Sequence, residues 1–166
     1  MEKITIKNSI KDVLLSQYQN CWEKTKLAIE NASDEVWSFL KDEWCFAWNA
    51  YHVIEGMDFY SRKTPKGMEW GIRAGIDWNK DDKETVAEKY KSITKDLVRE
   101  YLKDLTEKVN QNLIETSDND FLQPGEFKWF KSRLERHLYS IRHAEFHIGE
   151  LNKSLRDFGN KRIKWQ

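Results

Sequence analysis

Two histidines four residues apart, His143 and His147, stand in the C-terminal run HLYSIRHAEFHIGELNKSLRDFG. On a helix this spacing projects both imidazoles from one side, one turn apart. Two neutral imidazoles so placed can hold one divalent ion, and zinc, nickel and iron all accept them. The spacing alone leaves a plainer reading open, since any chain with several histidines can show it. Ala144 stands where the zinc proteases carry their general-base glutamate, which excludes peptide hydrolysis by that route.

A third histidine lies far upstream, in the run CFAWNAYHVIEGMDFY. His52 is either a core histidine among aromatic neighbours or the third member of a facial set. Three histidine ligands would leave coordination positions open to water or substrate, the mark of a catalytic rather than a structural site. Glu55, one turn on, could orient a ligand or take a proton from a bound group; its other reading is an exposed helix glutamate. The fourth histidine, His137, falls on an apolar seam and reads as partly buried with a satisfied hydrogen bond. Cys45 is two helical turns before His52, about 10 Å along the axis, too far to share an ion. Cys45 and Cys21 read as core thiols.

The elements that must position these side chains follow from periodicity. Glycine and proline are absent from the first 55 residues and cluster at 56–75 and at Pro124-Gly125, so helices fill the gaps. From about Asn8 to Asn31, Val13, Leu14, Tyr18, Cys21, Trp22, Thr25 and Ile29 share one face. Ser33 caps a short turn that carries Val36, Trp37 and Leu40. The spacing predicts a second helix over about Asp42 to Arg62, with Trp44, Trp48, His52, Glu55 and Phe59 on one face. Residues 63–82 form a long connection, too apolar to hang in solvent, that folds back over the bundle as a lid. A third helix runs from about Lys83 to Leu113, and a turn-rich linker follows from Glu115 to Gly125. The fourth, about Glu126 to Phe158, spaces Phe130, Leu134, His137, Ile141, Ala144, Ile148, Leu151, Leu155 and Phe158 by fours and threes. That is a heptad seam ended by Gly159. The prediction is an all-α four-helix bundle with a long connection between helices 2 and 3, one domain over 1–166.

The totals restrict the partners. Lysine plus arginine number 28 against 28 aspartates plus glutamates, so net charge offers no argument for nucleic acid or an anionic membrane. No apolar run approaches the roughly 18 residues of a membrane span. Neither is there the apolar stretch of an export signal, and two cysteines make no disulfide scaffold, so the expected location is the cytoplasm. Eight tryptophans, six tyrosines and eight phenylalanines are a heavy aromatic load that packs the core and can wall a pocket.

This arrangement resembles the DinB/YfiT-like family of bacterial four-helix-bundle proteins, along essentially the whole chain. The likeness rests on Trp48-Asn-Ala-Tyr-His52 and on the run Arg142-His143-Ala-Glu-Phe-His147-Ile-Gly149-Glu-Leu151, continuing to Leu155-Arg156 and Gly159. Ile163-Lys164-Trp165 is similar to the family's short C-terminal tail. The resemblance implies a divalent metal, zinc, nickel or iron, held by His52, His143 and His147 at the open end of the bundle. It also implies a homodimer. Characterised relatives include transferases and isomerases that use small thiols such as bacillithiol or mycothiol.

Three functions therefore compete. The first is a metal-dependent transferase that activates a low-molecular-weight thiol for attack on an electrophile, in detoxification or stress response. In it Glu55 is the catalytic side chain, and Trp44, Trp48 and Trp70 or Trp78 shape the pocket. A thiol has a pKa of about 8.5, and a dication deprotonates it at neutral pH. The second is a non-catalytic metal-binding stress or interaction protein, and the third a bundle whose histidines are structural.

Overall fold

The computed structural model describes residues 9–41 and 44–164. Asn8, Asp42 and Trp165, where the expected first helix, second helix and C-terminal tail have an end, lie outside those residues. Seven α-helices occur among the described residues: α1 (Ile10–Asn31), α2 (Asp34–Trp37), α3 (Phe46–Ser61), α4 (Lys83–Ser92), α5 (Lys95–Ile114), α6 (Asp118–Leu122) and α7 (Arg133–Asp157). The four long ones, α1, α3, α5 and α7, make the bundle. Each of α1 and α3 packs against both α5 and α7, which places α1 and α3 on one diagonal. The fold is all-α, as the periodicity predicts.

Side-chain caps set most of the starts. Ser9 and Asp12 form a reciprocal capping box on α1, and Ser33, Asp82, Thr94, Ser117 and Ser132 each accept a backbone N–H of the helix that follows. α7 ends as expected. Gly159, at φ 70°, donates to the Arg156 carbonyl and Asn160 to the Leu155 carbonyl, a Schellman closure.

Three boundaries differ from the sequence reading. The expected second helix begins only at Phe46, because Leu40-Lys41 (β1) and Trp44-Cys45 (β2) pair as antiparallel strands. Trp44 therefore stands outside the helical face shared by Trp48 and His52, and packs on Phe39 and Phe46. The expected third helix is two, α4 and α5. Ile93 and Thr94 are extended; Thr94 Oγ1 caps α5, and the freed Ile93 carbonyl accepts the Trp37 indole N–H at 2.8 Å. The fourth helix starts at Arg133, since extended Ser132 caps it and Phe127–Phe130 makes a separate turn. On α1, Val13 leaves the predicted apolar face and is exposed.

The core joins both diagonals. Tyr18, Cys21 and Ile29 of α1 are buried with Ala50, Tyr51, Val53 and Ile54 of α3, Val98, Leu105 and Val109 of α5, and Ala144, Leu151 and Leu155 of α7. Asp58 ties α3 to α5 by accepting the Tyr101 hydroxyl at 3.0 Å and pairing with Lys108. Lys24 of α1, itself buried, holds both carboxylate oxygens of Glu145 on α7 at 3.0 and 3.1 Å.

Candidate metal centre

α3 and α7 make the most extensive helix pairing in the bundle, and a glycine lies in it. A β-carbon on Gly56 would stand 2.8 Å from His143 Cε1, so only glycine lets the α7 imidazole lie against the α3 backbone. One turn before Gly56, His52 points to the same seam. The ring centroids are 5.3 Å apart for His52 and His143, 5.0 Å for His52 and His147, and 4.6 Å for His143 and His147. One nitrogen from each of the three rings lies within 4.8 Å of the others. The structure thus brings together the three histidines singled out by spacing and resemblance, and the triad could hold a metal.

The donor set suits a dication. His143 Nδ1 is buried with no hydrogen-bond partner among the described residues, an orphaned lone pair or N–H of the kind a ligand resolves. His147 Nδ1 lies 2.7 Å from Glu150 Oε2. A carboxylate can only accept, so Nδ1–H donates and Nε2 is left as the ligand atom. Burial, and then His147 and His143, pull His52 down to about 4. Burial and then His147 pull His143 down to about 4 as well. Both rings are neutral at pH 7, the state that binds metal. Glu150 escaped the sequence reading, although its i+3 offset from His147 was a usable signal.

Aromatic side chains wall the triad. Trp48 stacks on His52 at 6.1 Å, on Tyr51 at 5.3 Å and on Tyr90 at 4.7 Å, and meets Trp78 edge-on at 5.7 Å. Trp70 lies 6.5 Å from His52, and Tyr60 and Tyr139 flank His143. The connection 63–82 folds back as expected, through Trp70, the turn Ile72–Ala74 and buried Ile76. Beside Trp48 it helps to line a groove of about 480 Å³ with Leu40, Trp78, Val86 and Tyr90.

Glu55 is not exposed. It is 1% accessible, and its Oε1 accepts the Gly71 N–H at 2.6 Å and the Tyr51 hydroxyl at 3.1 Å, so it fastens the connection to α3. Its Oε2 is buried without a partner among the described residues, and burial pushes the Glu55 pKa up. The carboxylate does not join the three-histidine cluster.

The remaining candidates are structural. His137 is buried, with Nδ1 at 2.9 Å from the Tyr18 hydroxyl and Nε2 at 3.3 Å from Arg136 Nη2. Cys21 and Cys45 are buried free thiols that burial pushes up in pKa, and Cys21 donates to Glu145. No helix among the described residues is long and apolar enough to cross a membrane.

No curated protein matches the chain. The family model of the DinB superfamily matches residues 17–151, which takes in α3 and α5, most of α1 and α7, and the three clustered histidines. The chain belongs to the DinB superfamily.

Proposed function

We propose that this protein is a metal-dependent transferase that joins a small thiol to an electrophilic carbon, the sulfur displacing a leaving group that departs with the bonding electron pair. The observation that carries the reading is the convergence of His52, His143 and His147, from two helices, with the Trp48 and Trp70 rings packed on His52. His52, His143 and His147 would hold a divalent ion, zinc, nickel or iron, with Glu150 orienting the His147 ring. The ion supplies the charge that makes a thiol ionise at neutral pH. Three neutral histidines leave that charge uncompensated, which favours an anionic sulfur nucleophile.

The chain's own residues do the rest. Trp48, Trp78 and Tyr90 offer flat apolar surface to the electrophile. Glu55 takes a proton through Oε2, its unpartnered oxygen, while Oε1 keeps the connection 63–82 in place. A raised carboxyl pKa brings that base nearer to the working pH.

The test begins with elemental analysis of protein purified without an affinity tag. The expected result is about one metal per chain, lost in His52→Ala, His143→Ala and His147→Ala with circular dichroism unchanged. Bacillithiol or mycothiol should then perturb the spectrum of the cobalt-substituted protein and be consumed with an alkylating electrophile. A metal that is retained but indifferent to thiol would leave a non-catalytic binding protein. No metal, even after reconstitution, would leave three structural histidines.

A further inference from the structure

A second polar cavity, of about 560 Å³, opens where the end of α3, the end of α5 and the first turns of α7 meet. It is lined by Arg136, His137, Arg133 and Lys128, among others, and by none of the three clustered histidines. Arg136 is its unusual member. It is only 4% exposed, and its Nε is buried with no hydrogen-bond partner among the described residues. One Nη2–H goes to His137 Nε2 at 3.3 Å, and the guanidinium lies 4.9 Å over the Phe127 ring.

Among the described residues no carboxylate pairs with this cation. Arg133 donates to the Asp120 carbonyl and Lys128 to the Gly125 carbonyl, and neither forms an ion pair among the described residues. The carboxylates around the cavity do not meet the need. Glu115 is held by Lys63 at 3.7 Å and by Gln111, Asp120 accepts the Ser117 hydroxyl, and Glu126 is exposed. Counting side chains, four cations (Lys63, Lys128, Arg133, Arg136) face three carboxylates.

A buried arginine without a counter-ion is costly, and a ring face offsets only part of that cost. Burial, with Arg133 adding to it, draws the Arg136 guanidinium down to about 10, which still leaves it charged at neutral pH. Its planar fork matches an oxyanion, which it can grip through two parallel N–H bonds.

We propose that this cavity is an anion site, built to take the phosphate or carboxylate group of a small organic molecule on Arg136, with Arg133 and Lys128 at its mouth. The cavity is several times larger than the anionic group itself, so the ligand carries an organic body as well. The Phe59, Phe127 and Tyr60 rings, in mutual contact, stand between this cavity and His143. The site is therefore separate from the triad, and it does not depend on the transferase reading.

The experiment is titration of the full chain with inorganic phosphate and, separately, with succinate. Both are run at constant ionic strength against chloride and followed by unfolding temperature and isothermal calorimetry. Saturable binding of either anion is expected, weakened about tenfold or more in Arg136→Met, the loss of one charged hydrogen-bond fork. Phosphate alone, or succinate alone, identifies which group the site takes. His147→Ala should bind as the parent does, which separates this site from the clustered histidines. Should Arg136→Met fail to fold, Arg133→Gln with Lys128→Gln carries the test, with a several-fold loss expected. Binding of neither anion, or equal binding in the folded variants, overturns the proposal.

Discussion

The His143 imidazole occupies the space that a side chain on Gly56 would need: a β-carbon there would meet Cε1 at 2.8 Å and Nδ1 at 3.0 Å. The contact sets how near the His143 ring comes to α3, and so how near it comes to His52. Gly56→Ala should displace the ring while the rest of the bundle holds, because the obstructed atoms belong to a side chain that can turn. Metal affinity is expected to fall by about 10- to 100-fold, the range for changes that misorient a ligand. Competition with a chromophoric chelator measures it, and parental affinity would show that Gly56 has no part in the site.

Glu55→Gln separates proton transfer from positioning. The amide oxygen keeps accepting from Gly71, so metal content and resistance of residues 63–82 to limited proteolysis should match the parent. Turnover with thiol and electrophile should fall about 100-fold. Glu55→Ala should in addition expose the connection to protease, since Gly71 N–H then loses its acceptor. Parental turnover in Glu55→Gln would remove Glu55 from the reaction.

His137 makes stability depend on pH. Burial, and then Arg136, lower its pKa from the ordinary 6.5 to about 3. Between those values the unfolded chain binds a proton that the native ring, with Nε2 accepting from Arg136, refuses. Stability therefore falls as pH is lowered through that window, by about 1.4 kcal/mol per pH unit for this one ring. Urea unfolding of His137→Gln between pH 4.5 and 6.5 should show a slope shallower by about one proton; an unchanged slope would refute the assignment.

Asp58→Asn tests how α3 is held. The buried carboxylate serves the Tyr101 hydroxyl, Lys108 and, at 3.9 Å, Arg62. Losing its charge should cost about 2 kcal/mol, read from the denaturant midpoint. Because α3 carries His52, metal should also be lost at lower denaturant than in the parent.

Thr94→Ala should cost about 1 kcal/mol, the usual worth of an N-cap hydroxyl, since Thr94 starts α5 where the chain bends. A Thr94→Asp variant that restores the parental denaturant midpoint would tie the loss to capping.

The sequence by itself determined what local periodicity controls. The fours and threes of α7, the i,i+4 pair His143 and His147, the closure at Gly159 and the all-α class were legible, because each depends on residues within a few turns. Only the tertiary structure decided how separate helices meet. Periodicity tells which face of α3 turns inward, but not its axial register against α7, and it is that register, set at Gly56, that brings His52 to the pair. The same reason explains the misread boundaries. The helix over 83–113 breaks because the Trp37 indole, distant in sequence, takes the Ile93 carbonyl, and Trp44 leaves its helical face because it pairs with Lys41. Glu55 shares the His52 face in the helical pattern, but neither its burial nor that of Arg136 follows from periodicity. The loop and the ring packed over them by the fold make each a buried group in want of a partner.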